Sequence, residues 1–291
     1  DGFLQVEVIQ QTWNGSNWVN YFMSSFRYNE NLFLSELLIQ SWGGTSWEYI
    51  AKWKYSYDGN NNQIESLFQT WDGTIWMNSL KSIHTYNENN QNIEGIYQFW
   101  NGAWINDQKD LFNCNVNGIY TDWIHQNWDG IDWVNDYKFS YTYNGNNILT
   151  EVLEQDWDGS SWVNYHKSLL VYDENTNVVE FIWLYWFGFW ENGQKHLFTY
   201  DENDNRIESL LQLWENSAWA NFVRWVDTYD GNNNWLEQLH QEWIGTTWAN
   251  LDKSSYIYDG NNNRVEELVQ LWGNPGWMNY SRRTYAFDGN N

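Results

Sequence analysis

The sequence predicts an all-β protein made of ten tandem antiparallel β-hairpin repeats, about twenty strands, in an open, coiled or superhelical sheet of the β-solenoid kind. Three observations carry this. Trp-x4-Trp pairs open at Trp13, Trp42, Trp71, Trp100, Trp128, Trp157, Trp186, Trp214, Trp243 and Trp272, spaced by 29 residues except for two steps of 28. Each unit holds two runs of roughly eight and eleven residues, rich in aromatic and β-branched types and bounded by Gly, Asn and Asp. No unit sustains a period of 3.6, so helices are not expected. Residues 1–291 therefore read as a single array.

The third unit shows the elements in order. Ile64 to Trp71 reads as a strand, Asp72-Gly73-Thr74-Ile75 as a tight turn, Trp76 to Tyr86 as a second strand and Asn87 to Asn92 as the turn into the next unit. Trp100 to Trp104 and Trp186 to Trp190 enclose three residues where other copies enclose four, and a segment that tolerates deletion between fixed flanks is a turn.

Comparison among copies isolates the positions that the unit holds constant. An acidic residue recurs in all ten (Glu65 in the third), Gln two before the first Trp in nine, and Asn two after the second Trp in nine. Leu184 and Tyr49 are the exceptions. Nine of the fourteen basic residues share one position, from Lys52 to Arg282, with Met23 in the first copy. Tyr closes the longer strand eight times, replaced by Cys114 and Phe287, so Cys114 reads as a degenerate Tyr with no chemistry of its own. A four-residue turn places Trp71 across from Trp76, Gln69 across from Asn78 and Leu67 across from Leu80 on one face. By parity Lys81 then faces away from Trp76.

Composition narrows the function. The chain carries 25 Trp, 20 Tyr, 14 Phe, one Cys and one Pro, with a net charge of -24. So many aromatics exclude disorder, and a mean hydropathy of -0.74 excludes a membrane-spanning helix. The charge repels phosphate backbones and anionic lipid, so neither nucleic acid nor membrane insertion is expected. Twenty strands at about 4.8 Å make a ribbon close to 100 Å wide if open; closed, they leave a wet lumen. An outer-membrane barrel would show a lipid-facing apolar row, whereas one strand face here mixes Glu, Leu, Gln and Trp.

The segments Tyr200-Asp201-Glu202-Asn203-Asp204-Asn205-Arg206-Ile207-Glu208 and Tyr258-Asp259-Gly260-Asn261-Asn262-Asn263-Arg264-Val265-Glu266 resemble the tyrosine-aspartate (YD) repeat of secreted and cell-surface bacterial proteins, also found in Rhs shells. The Trp-x4-Trp-x-Asn half looks like the variant common in large bacterial surface proteins exported by the type IX route. The resemblance covers all ten units. It departs in that Asn mostly replaces the Gly usual after the YD turn, and the period is longer. It implies a hairpin array displayed outside the cell as shell, stalk or adhesive surface.

Two features are candidate sites. Trp71, Trp76, Gln69 and Asn78, with Trp243, Trp248, Gln241 and Asn250 in the ninth unit, combine indole faces with amides, as sugar-binding platforms do. The plainer reading of the same residues is as hairpin staples, since every unit needs a substitute for a core and only some need a ligand. The Asn-rich turns at Asp58, Asp201, Asp230 and Asp259 gather oxygen-bearing side chains that a hard cation such as calcium prefers, yet these are also the residues that turns require. No other cofactor is expected. Catalysis finds no support: His84, His125, His166, His196 and His240 fall in five different positions of the unit. Phe181 to Trp190 is the most irregular stretch, either a docking patch or a thicker packing layer.

Both ends fall within Asn-rich turns, so the sequence implies terminal strands whose free edges could pair with further repeats or with other copies. The expectation is a non-enzymatic extracellular structural or adhesive protein, self-associating head to tail into a fibre or surface layer. The alternatives are a multivalent lectin binding polysaccharide through its Trp platforms and an Rhs-type shell.

Overall fold

A computed structural model describes residues 4–273 and 276–287. The two ends of the array, Asp1-Gly2 and Asp288-Gly289-Asn290-Asn291, lie outside the described residues. Each unit forms one hairpin, as the Trp spacing predicts. The first five are β1 (Gln5–Trp13) and β2 (Trp18–Tyr28), β3 (Leu34–Trp42) and β4 (Trp47–Tyr57), β5 (Gln63–Trp71) and β6 (Trp76–Tyr86), β7 (Asn92–Trp100) and β8 (Trp104–Cys114), β9 (Tyr120–Trp128) and β10 (Trp133–Tyr143). The second five are β11 (Leu149–Trp157) and β12 (Trp162–Tyr172), β13 (Val178–Trp186) and β14 (Trp190–Tyr200), β15 (Arg206–Glu215) and β16 (Ala218–Tyr229), β17 (Trp235–Trp243) and β18 (Trp248–Tyr258), β19 (Arg264–Gly273) and β20 (Gly276–Phe287).

The sheet is closed. Every strand pairs antiparallel with its neighbours in sequence, and β1 pairs with β20 from Gln5↔Phe287 to Thr12↔Ser281. This overturns the open, coiled or superhelical sheet that the sequence predicts, and the free edges expected at the ends of the array are instead bonded to each other. The physical reason is a bend repeated at fixed places. In all ten hairpins the register shifts just beyond the second pair below the turn, Gln–Asn in eight of them, and it shifts again at the strand end in the nine pairings across Asn-rich turns and in the β1–β20 closure, as at Phe68/Gln69, Thr85/Tyr86 and Gln5/Glu7. Bulges bend a strand and tighten its twist. A wall that turns by one-tenth of a circle in each copy closes after ten.

The bulge also corrects the register expected beyond it. Trp71↔Trp76 and Gln69↔Asn78 are opposed as predicted, but Leu67 lies opposite Lys81 and Phe68 opposite Leu80. The extra residue flips parity, so Lys81 shares the face of Trp76 instead of facing away. One face of the wall, the tryptophan face, thus carries the constant Trp, Gln, Asn, acidic and basic residues. The other carries the variable residues together with the closing Tyr.

A ring of twenty strands has a radius of about 15 Å with upright strands and more when they tilt, too wide for side chains to meet across it. The accessible surface agrees: 17156 Å² against about 13,000 Å² for a compact protein of this mass. No large side chain among the described residues is fully buried.

Candidate functional site

On the tryptophan face the two indoles of each hairpin lie edge to face or tilted, with centroids 5.1 Å apart for Trp71–Trp76 and 5.1 Å for Trp243–Trp248. Beneath them Gln69 Nε2 donates to Asn78 Oδ1 at 2.9 Å, and Gln241 Nε2 to Asn250 Oδ1 at 2.7 Å. The predicted residues are therefore brought together within each unit. The basic row, which parity seemed to send elsewhere, completes the arrangement. Lys52 Nζ sits 4.2 Å from the centroid of Trp76, Lys81 Nζ 4.7 Å from Trp104, and Arg224 lies over Trp248 at 4.6 Å. Each cation reaches the second Trp of the following hairpin, and Arg282 over Trp18 at 5.9 Å carries the row across the closure. The basic and acidic rows also meet: Lys253 Nζ lies 2.8 Å from Glu237 Oε2, and Lys167 Nζ 2.9 Å from Glu151 Oε1. Edge contact with the first Trp and a cation from the preceding hairpin on its face link each second Trp to its neighbours.

The turn aspartates occupy the opposite rim, each in its own turn. Asp58 Oδ1 accepts from the backbone N–H of Asn60 and Asn62, both at 2.8 Å, while Oδ2 accepts from Asn62 Nδ2 at 2.9 Å. Asp201, Asp230 and Asp259 repeat this pattern. The hydrogen bond from the Asn side chain, helped by those from the backbone, holds these carboxyls below their usual range. Asn takes the left-handed position where the YD repeat has Gly, with φ 67 at Asn61 and 62 at Asn262. That residue also links the rim: Asn62 Nδ2 donates to Asn90 Oδ1 at 3.0 Å, and Asn234 Nδ2 to Asn262 Oδ1 at 3.0 Å. The carboxylate oxygens that a cation would need already accept hydrogen bonds within their turns. No cluster of three or more His, Cys, Asp or Glu among the described residues is disposed to hold a metal ion.

The variable face holds what sequence reasoning missed. All five histidines lie on it, and three pair with acids: His125 Nδ1 with Asp110 Oδ1 at 2.8 Å, His166 Nδ1 with Glu154 Oε2 at 3.1 Å, His240 Nδ1 with Asp252 Oδ2 at 2.9 Å. Asp110 and His125 are both buried. Trp123 Nε1 donates to the same Asp110 oxygen at 2.8 Å, and Tyr137 stacks on the His125 ring at 4.5 Å. Burial, reinforced by the Asp110 charge, pushes the Tyr97 hydroxyl up to about 12. Burial pushes His84 and His196 down. Around the Asp110–His125 pair stand the Trp123 indole N–H, the Tyr137 ring and the Tyr97 hydroxyl, which also hydrogen-bonds Asp110. Asp227 is a second such centre, accepting from Trp235 Nε1 at 2.9 Å and Gln238 Nε2 at 3.0 Å. These pairs stand opposite each other across strands, so the signal was present. Reading it required the register at both bulges.

No protein-family model matches the sequence, and no curated protein matches it. Among solved structures, a chain of the TcdB2-TccC3 crystal structure is similar with a TM-score of 0.51 and 10% identity, over 95% of this chain and 15% of that one. A porin-like protein from Bacteroides uniformis matches over 99% of both chains at 10% identity, with a TM-score of 0.39. Another from Bacteroides vulgatus matches over 99% of this chain and 100% of its own at 10% identity, with a TM-score of 0.33. At 10% identity the TcdB2-TccC3 likeness is one of fold, a β-repeat architecture. This chain spans less than a sixth of that protein's length.

Proposed function

We propose that this chain is a non-enzymatic structural repeat protein, the wall of a short water-filled tube or shell segment, acting outside the cell or on its surface. The observation that carries the reading is closure around an interior too wide to fill, joined to the large accessible surface of the wall. The constant residues of all ten units are spent on holding hairpin to hairpin, which is the economy of a building material. The YD-like turns and the fold shared with a segment of TcdB2-TccC3 support the shell-like version. Neither face offers the unbroken apolar belt that lipid requires: Glu, Lys, Gln and Asn rows cross the tryptophan face, and Asp110, Glu154 and Asp227 lie on the other. This supports a tube surrounded by water.

Small-angle scattering and planar-bilayer recording test this together. The expected outcome is a detergent-free particle with a hollow scattering profile and no conductance. A solid, globular profile sinks the tube, and discrete channel openings replace it with a pore.

A further inference from the structure

The irregular stretch Phe181 to Trp190 shapes a cavity that the repeat does not explain. On the variable face of β10 to β13, a cavity of about 340 Å³ is walled by the rings of Phe139, Tyr165, Trp183 and Tyr185, with Glu154 and His166 among its lining residues. His166 is packed between two of the walls, 3.9 Å from the Tyr165 centroid and 4.7 Å from that of Tyr185. Trp183 and Tyr165 remain 41% and 48% exposed, so the cage opens to solvent. The volume falls in the range of small-molecule sites.

On the tryptophan face, rings beside the acidic row come with their own cation, whereas at Asp110 on the variable face the carboxylate is taken up by His125 and the Trp123 N–H. Nine second tryptophans lie under a Lys or Arg, and on the variable face Arg264 lies over Tyr256 at 5.3 Å and Tyr285 at 4.9 Å, beside Glu267. The cavity at β10 to β13 has four rings and a carboxylate, Glu154, whose one hydrogen-bonded partner among the described residues is His166 at 3.1 Å, and no Lys or Arg in its lining. We propose that it binds a free methylated ammonium cation of about the size of choline. The ring faces attract the positive charge, the methyl groups fill apolar walls, Glu154 supplies the counter-charge, and the net charge of -24 raises the local cation concentration. The same charge disfavours a phosphate-bearing relative such as phosphocholine.

Calorimetric titration of the intact chain with choline, tetramethylammonium, phosphocholine and the neutral isostere 3,3-dimethyl-1-butanol tests the assignment. Choline and tetramethylammonium bind saturably at one site, and the isostere binds at least about tenfold more weakly, because it fills the walls without the charge. Trp183→Ala and Glu154→Gln each weaken choline by about tenfold or more with an unchanged circular dichroism spectrum. Should Trp183→Ala disturb the sheet, Tyr165→Leu at the exposed wall carries the same expectation. Equal affinity for the isostere, phosphocholine binding as tight as choline, unaltered binding in the correctly folded variants, or no saturable choline binding overturns it.

Discussion

Leu32 and Thr176 sit in the left-handed position of their turns, at φ 64 and 69, where the other turns place Asn, Asp or Gly. A β-branched or bulky residue there is strained. Leu32→Asn and Thr176→Asn should each raise stability by about 1 kcal/mol in denaturant titrations, since Leu32 is exposed and contributes little packing. The turn acids set the response to pH. Asp158 is held down to about 2, chiefly by the backbone N–H of Ser161, and Asp58, Asp72, Asp129, Asp201, Asp230 and Asp259 shift the same way. A depressed folded value contributes stability that is fully present above the unfolded value near 3.8 and is lost as pH falls toward about 2. The unfolding midpoint should therefore fall across that interval. Asn at these positions should flatten the fall while leaving the fold intact at neutral pH, because Asn29 already accepts the backbone bonds of the one turn from Asn31 and Phe33, and Asn14 those of the other from Ser16 and Asn17.

At the scale of the hairpin, the ring of cations has one gap. Met23 pairs with Gln40 just as Lys52 pairs with Gln69, which places it over Trp47 by repetition. Met23→Lys should add about 0.5–1 kcal/mol, read as a raised denaturant midpoint with an unchanged slope; no gain would mean that the cations are bystanders. A second irregularity has been repaired. The closing Tyr of a unit donates to the carbonyl that opens it, as Tyr86 Oη does to Gln63 at 3.0 Å and Tyr57 Oη to Leu34 at 2.8 Å. Cys114 cannot do so, and Tyr120 of the next strand bonds Asn92 O at 3.1 Å in its place. Tyr120→Phe should cost about 1 kcal/mol, and Cys114→Tyr added to it should restore most of the loss. Thermal unfolding of the two variants decides this, and the absence of rescue would show that Tyr120 acts through packing alone.

At the scale of the molecule, closure makes every turn equivalent in kind. Because Gln5 pairs with Phe287, joining β20 to β1 by a short Asn-rich linker and reopening the chain at Asn144–Ile148 should give a permuted barrel with the same circular dichroism spectrum and a similar midpoint. Collapse of the permutant would show that the ring depends on the order in which its strands are made. Stability then resides in neighbour-to-neighbour contacts, as in repeat proteins generally, with the β1–β20 contact as one more interface of the same type.

The sequence by itself determined the hairpins, their two turns, the opposition of Trp71 with Trp76 and of Gln69 with Asn78, and the number of strands. All of these are local consequences of residue type and spacing. It did not determine that Lys81 joins the tryptophan face, that Asp110 meets His125, or that Trp183 and Tyr165 wall one cavity. Each depends on a bulge, and an inserted residue reverses every side chain beyond it without leaving a mark in the spacing. Closure was hidden for a related reason. It is the sum of small bends over ten copies, and only the assembled wall shows that the last strand arrives beside the first.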